Sequence, residues 1–269
     1  MKTIFITGAS SGIGREAAKL FQKKGWNVVA TMRNPAIEKE LIELHNVEVI
    51  ACDVTKLESI NKAIEKGIKR FGKIDVLLNN AGYYTIGPLE AAKDEEIRSQ
   101  LDTNLLGVIE TTKAILPHFR KNNSGTIINL SSIAGIASIP LQSLYHATKF
   151  AIEGFSESLQ YELEKFNIKV RIIEPGTIKT NFCGRSMTVT DYGKIEEYEE
   201  YSKKVVHNLI NNGNSGSDPS GVAEIIYKAA TDKSNKMRYR AGKMKNMITL
   251  RKILPLPIYR CVIKASLEK

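Results

Sequence analysis

The sequence predicts an α/β fold: one domain built on a doubly wound parallel sheet with helices on both faces. Three observations carry that expectation. First, short apolar runs recur at TIFIT (3–7), NVVAT (27–31), VEVIA (47–51), IDVLLN (74–79), GTIINL (125–130) and KVRIIE (169–174). They are rich in Ile and Val and nearly continuous, as strands buried on both faces of a parallel sheet are. Second, stretches of helical periodicity separate them, at 15–24, 56–71, 94–121 and 141–166. That alternation makes crossover connections between parallel strands. Third, a glycine turn stands between the first strand and the first helix.

That turn is TGASSGIG (7–14), with Gly8, Gly12 and Gly14 spaced G-x-x-x-G-x-G. Absent side chains allow a tight strand-to-helix turn, and backbone N–H groups at the helix N-terminus can approach a pyrophosphate. The Rossmann form of the fold is therefore expected, with Ser10, Ser11 and Ile13 joining the glycines as cofactor contacts. The second strand leads into VVATMRNP (28–35). An NAD site usually carries Asp or Glu about 20 residues beyond its glycines. None follows Ala30 and Thr31 here, and Arg33 comes next. An acid would repel the 2′-phosphate of NADP, whereas a guanidinium can pair with it through two hydrogen bonds. NADP is the expected cofactor.

Composition narrows the classes further. The 269 residues are 42% apolar and 25% charged, ordinary for a globular chain with a proper core. Cys52, Cys183 and Cys261 are dispersed and odd in number, which suggests neither a disulfide framework nor a zinc site and fits a reducing cytoplasm. His45, His118, His146 and His207 lack ligand spacing, and no metal is expected. The N-terminus passes from Lys2 straight into a strand, without the apolar stretch of a signal peptide, and no run is long enough to span a bilayer. The net charge is +10, with a concentration of Lys and Arg after Lys236. Such a field attracts polyanions, but no nucleic-acid module or interleaved aromatics accompany it, so nucleic-acid binding is not expected.

YHATK (145–149) puts Tyr145 and Lys149 one helical turn apart on a shared face. A phenol with its ordinary pKa near 10 is a poor acid–base group at neutral pH, and a cation within about 4–6 Å lowers it. Ser132 lies 13 residues before Tyr145, just after the strand GTIINL, at the carboxyl edge of the sheet.

Taken together these motifs resemble the classical short-chain dehydrogenase/reductase family over roughly residues 2 to 240. TGASSGIG is similar to its cofactor turn, Asp53 with Val54 after VEVIA to its adenine-binding acid, and NNAG (79–82), with Asn80, Ala81 and Gly82, to its fourth-strand motif. PGTIKT (175–180) resembles the cofactor-binding segment that supplies Pro175, Gly176, Ile178 and Thr180. The resemblance implies catalysis by Asn104, Ser132, Tyr145 and Lys149. Tyr145 is then the acid–base group, and Ser132 holds the substrate oxygen, with Ser131 the structural neighbour. Lys149 also binds the nicotinamide ribose, and Asn104 holds a water in a proton relay. The reaction implied is reversible hydride transfer between a nicotinamide and a carbonyl compound. The three residues between Tyr145 and Lys149 argue against enoyl reduction.

TGASSGIG together with the second-strand end T-x-R resembles the branch near 17β-hydroxysteroid dehydrogenases, retinol dehydrogenases and acyl-dihydroxyacetone-phosphate reductases, which implies a lipophilic substrate. A carrier-protein 3-oxoacyl reductase and a non-catalytic NADP-sensing protein are the rival readings. Residues 181–220, polar and acidic in the middle, are expected to form a substrate lid. The segment 243–269 is a basic extension mixing Ile, Leu, Met and Tyr with Lys and Arg. It suits either a peripheral contact with an anionic membrane or packing against the lid or another subunit of a homo-oligomer. Pro255 and Pro257 interrupt any long helix there and favour packing.

Overall fold

The computed structural model describes residues 1–179, 187–244 and 246–268. Seven parallel strands form one sheet in the order β3-β2-β1-β4-β6-β7-β9. The strands are β1 (Thr3–Ile6), β2 (Asn27–Met32), β3 (Val47–Ala51), β4 (Val76–Asn79), β6 (Gly125–Leu130), β7 (Ile168–Pro175) and β9 (Arg238–Ala241). A separate parallel pair joins β5 (Tyr84–Ile86) to β8 (Met187–Val189). The expected doubly wound architecture is present, with one strand more than the six apolar runs.

Successive residues of a strand face opposite ways, and β1 divides accordingly. Ile4 and Ile6 pack under α1 (Gly12–Lys23) and α7 (Pro219–Thr231), with Phe21 and Ile226. Phe5 joins Val29 and Leu77 on the other face, beneath α2 (Leu57–Phe71), α4 (Gly107–Lys121) and α5 (Ser143–Leu163). Two apolar layers thus clamp the sheet, which explains the unbroken apolar runs.

The expected single helix over 94–121 is two. α3 (Asp94–Leu101) passes through a wide π turn at Asp102–Leu106 before α4 begins. A π turn inserts an extra residue into the helical ladder and often marks a functional position; here it carries Asn104. Beyond residue 186, the expected lid segment contains β8 and α6 (Glu196–Asn214). The basic segment forms α8 (Met247–Ile253) and α9 (Leu256–Leu267), broken at Leu254 and Pro255. No helix among the described residues is long and apolar enough to cross a membrane.

Candidate active site

The strand order reverses between β1 and β4, where open α/β sheets bind ligands at their carboxyl ends. A cavity of about 760 Å³ opens there. Gly8, Ser10, Ser11, Gly12 and Ile13 line it. Gly8 has φ +68°, and a Cβ on it would lie 2.8 Å from the Ala81 Cα. Gly14 does not line the cavity; a Cβ there would meet Asn80 Nδ2 and the Gly8 carbonyl at 2.5 Å. Its role is close packing of α1 against the turn. Asn80 clasps that turn, donating to the carbonyls of Thr7 (2.8 Å) and Gly8 (2.9 Å). Thr7 Oγ1 in return accepts the amides of Asn80 and Ala81.

Arg33, Asp53, Val54, Ala81 and Gly82 line the next stretch of the cavity. Asp53 Oδ1 accepts from the Thr55 amide (3.0 Å) and hydroxyl (2.8 Å). Burial opposes its charge, but these bonds, with Lys56 and Arg33 nearby, hold its carboxyl below the usual range. The end of β2 differs from expectation. The strand continues through Met32, which lines the cavity, while Thr31 is fully buried and donates to the Ile6 carbonyl at 2.9 Å. The side chains facing the cavity are therefore Met32 and Arg33.

Ser132, Tyr145 and Lys149 meet at the inner end. The Ser132 hydroxyl is hydrogen-bonded to Tyr145, accepts from the Ala134 amide (3.1 Å) and donates to the Pro175 carbonyl (3.4 Å). The Lys149 ammonium stands over the Tyr145 ring, 5.6 Å from its centroid, and donates to the Leu130 carbonyl at 2.7 Å. The expected lowering of the phenol by this cation is not found. Burial pushes Tyr145 up to about 12, against its hydrogen bond with Ser132. It takes Lys149 down to about 8, opposed by Glu153. The cation stands over the ring and donates to a carbonyl, and desolvation is the largest cause for both groups.

Asn104 is buried one layer back. Its Oδ1 accepts from the Tyr83 amide (3.0 Å), and its Nδ2 donates to the Tyr83 carbonyl (2.7 Å) and Thr148 Oγ1 (3.4 Å). Pro175, Gly176 and Ile178 line the cavity opposite the glycine turn. Thr180, Cys183 and the start of the expected lid lie outside the described residues.

A family model for short chain dehydrogenases matches residues 2–189. The chain belongs to that family. It is 44% identical over 211 residues to an uncharacterised oxidoreductase of Schizosaccharomyces pombe, covering 78% of this chain and 88% of the relative. A 3-ketodihydrosphingosine reductase of Bacteroides thetaiotaomicron is 36% identical over 241 residues, covering 90% and 88%. Among solved structures, a short-chain dehydrogenase from Streptomyces avermitilis superposes with a TM-score of 0.84 at 30% identity, covering 98% of this chain and 97% of that one. Similar structures hold different nucleotides. ElxO with NADP bound has a TM-score of 0.74 at 29% identity over 92% and 99% of the two chains. A Brucella melitensis 3-ketoacyl-(acyl-carrier-protein) reductase complexed with NADH has 0.76 at 25% over 91% and 98%.

This short-chain dehydrogenase also carries groups near the site that motif reading missed. Glu153, one turn beyond Lys149 on α5, is buried and ion-paired with Arg238 of β9 at 3.1 Å. Arg238 and Arg240 both reach the fully buried Glu174 of β7 at 3.2 Å. Two arginines of the basic concentration after Lys236 are thus counter-ions to buried carboxylates. On the cavity's outer side, Tyr83 and Ser99 were also missed. Tyr83 directly follows NNAG, and that adjacency was its available signal. His146 is structural, as its sequence position suggests. Its Nε2 accepts from the Ile139 amide (3.0 Å), which leaves Nδ1–H to donate to the Ala134 carbonyl at 2.7 Å.

Proposed function

We propose that this oxidoreductase uses NADPH to reduce a lipophilic ketone or aldehyde to the alcohol. The observation that carries the reading is the buried Ser132–Tyr145 hydrogen bond beside Lys149, at the inner end of a cavity whose other end presents a Gly8–Gly12 cradle and Arg33. The cradle suits a dinucleotide: Gly8 holds a left-handed turn so close to Ala81 that a Cβ would clash, and the Ser11 hydroxyl makes no capping bond at the α1 N-terminus. Gly8, Ser10, Ser11, Gly12 and Ile13 would hold the pyrophosphate and Asp53 the adenine. Arg33 would hold the 2′-phosphate, and Lys149 the nicotinamide ribose. When bound, the nicotinamide supplies the hydride.

The chain's own residues do the rest. Ser132 holds the carbonyl oxygen, and Tyr145 passes its phenolic proton to that oxygen as charge develops. A phenol pushed up to about 12 is fully protonated at neutral pH, which suits the reductive direction. An apolar cluster packed against Tyr145, behind the residues that line the cavity, favours a lipophilic substrate. It comprises Tyr84 and Ile86 of β5, Met187 of β8 and Val206 of α6. The 3-ketodihydrosphingosine reductase relative is consistent with such a substrate. On this reading, 187–220 forms the substrate-covering part of the domain.

The test is NADPH consumption with lipophilic ketones, aldehydes and acyl-carrier 3-oxoacyl substrates, for the native chain and Tyr145→Phe. The expected result is turnover of free lipophilic carbonyls, lowered on the order of 10²–10⁴-fold in the variant, with NADPH affinity retained. NADPH binding with no carbonyl turned over would favour a sensing role instead. Preference for acyl-carrier substrates would transfer the assignment to a 3-oxoacyl-carrier-protein reductase.

A further inference from the structure

Helix α9 has two apolar faces, and the domain uses one of them. Tyr259, Ile263 and Leu267, spaced four apart, are buried with Ala137 and with Leu209 of α6. The Tyr259 hydroxyl donates to the Ser138 carbonyl at 3.1 Å, tying α9 to the loop that follows Ser132. At 100° per residue, Ile258, Cys261, Val262 and Ala265 point the opposite way, and all four are exposed. Ile258 is 50% and Val262 43% exposed. At the elbow before the helix, Ile253 is 72% and Leu256 47% exposed. A polar surface helix would place charge on this outer face. Here the charges stand at its border: Arg260 and Lys264 along one flank, Lys252 at the elbow.

We propose that the outer face of α9 and the α8–α9 elbow dock this protein on an anionic lipid bilayer. Ile253, Ile258 and Val262 enter the headgroup boundary, while Lys252, Arg260 and Lys264 meet lipid phosphates. An interfacial helix lies in this way, its apolar face buried roughly 5–10 Å deep with basic residues at the rim. The charge argues for lipid over a second copy of the chain. Between 246 and 268 the sole acid is Glu268, whose carboxylate is engaged by the Tyr201 hydroxyl at 3.4 Å. A two-fold pairing through α9 would set each basic flank against its own copy, with no acid on the paired helices between 246 and 267 to answer it. An anionic surface answers all of it. Leu209 packs both beneath α9 and in the cluster around Tyr145, so docking brings that cluster near the bilayer. That consequence rests on the lipophilic reading above; docking itself does not.

The experiment is co-sedimentation of the full chain with vesicles of phosphatidylglycerol and phosphatidylcholine, and of phosphatidylcholine alone, at low and high salt. Binding is expected on the anionic vesicles only, weakening as salt rises. Arg260→Gln with Lys264→Gln should lower it on the order of thirtyfold, since each basic residue near such a surface contributes several-fold. Ile258→Ser with Val262→Ser should weaken it at both salt levels. Vesicles should also slow alkylation of Cys261, read by peptide mapping. Turnover of a water-soluble carbonyl, assayed without vesicles, should be the same in both variants, showing that they fold. Equal binding to both vesicle types, or no loss in either variant, would overturn the proposal. So would a change of oligomeric state in the variants with no vesicle binding by the native chain, which would make this face a subunit contact.

Discussion

Lys149 and Tyr145 are buried together, and burial moves their protons in opposite directions. Lys149 titrates near 8 rather than its ordinary 10.5. Between those values the unfolded chain holds a proton at this lysine and the folded chain does not, so stability rises with pH across the window. The contribution is on the order of 3 kcal/mol from pH 8 to 10.5. Urea unfolding at pH 7.5 and pH 10 should show this rise in the native chain and lack it in Lys149→Met. Equal slopes in the two proteins would mean the ammonium is not desolvated as the structure has it. Arg33 supports a second prediction. Thr31, the position at which sequence alone would place an introduced acid, points into the sheet and would put a carboxylate in the core. Arg33 faces the cavity, so Arg33→Asp should raise KM for NADPH about tenfold or more, while NADH use holds or improves. That magnitude follows from losing a charge-assisted contact of roughly 1.5–3 kcal/mol. A preference for NADPH surviving that change would remove Arg33 from the cofactor argument. Motif spacing brought Ser132, Tyr145 and Lys149 to one place. Spacing carries no information about desolvation, which is why the direction of the Tyr145 shift was not legible.

The apolar strands were readable because each contributes to both core layers, and all six appear within two residues of their expected ends. β9 was not, for a physical reason. Its sequence RYRA alternates, with Tyr239 and Ala241 entering one core while Arg238 and Arg240 turn to carboxylates on the other side. An edge strand whose charged face is satisfied by distant acids looks, in one dimension, like a basic loop. The π turn at Asn104 was equally hidden, since helical periodicity runs on through 94–121 and only the backbone of Asp102–Leu106 shows the insertion. These elements are coupled, because Glu153 supports the charge of Lys149 and is itself held by Arg238. Removing Arg238 leaves the buried Glu153 carboxylate without its ion-pair partner. Breaking a buried pair costs about 3–5 kcal/mol. The lower end is expected for Arg238→Ala, because Arg238 is a third exposed and Arg240 still serves Glu174. Chemical denaturation with tryptophan fluorescence from Trp26 measures this. A loss under 1 kcal/mol would show that water, not Arg238, satisfies these carboxylates.

At the scale of the molecule, the site is assembled from parts of the chain far apart in sequence. Tyr145 on α5 packs against Tyr84 on β5, with ring centroids 5.6 Å apart, and Tyr84 in turn contacts Met187 on β8. Val206, Leu209 and Ile210 from α6 complete the enclosure. The sheet therefore supplies the cofactor edge, whereas the β5–β8 pair and α6 supply the apolar cluster packed against Tyr145, behind the cavity lining. A cluster of this composition discriminates by area removed from water, with each buried methylene contributing about 0.8 kcal/mol, or roughly fourfold. In a series of unbranched 2-alkanones, kcat/KM should climb by about that factor per methylene until the chain outgrows the enclosure, then level off. Val206→Ser should flatten the climb while leaving the shortest ketone nearly unchanged, because the short substrate reaches Tyr145 without touching α6. A flat series in the native enzyme would mean that the apolar residues around Tyr145 support the fold and not the substrate, and the lipophilic assignment would fall with it.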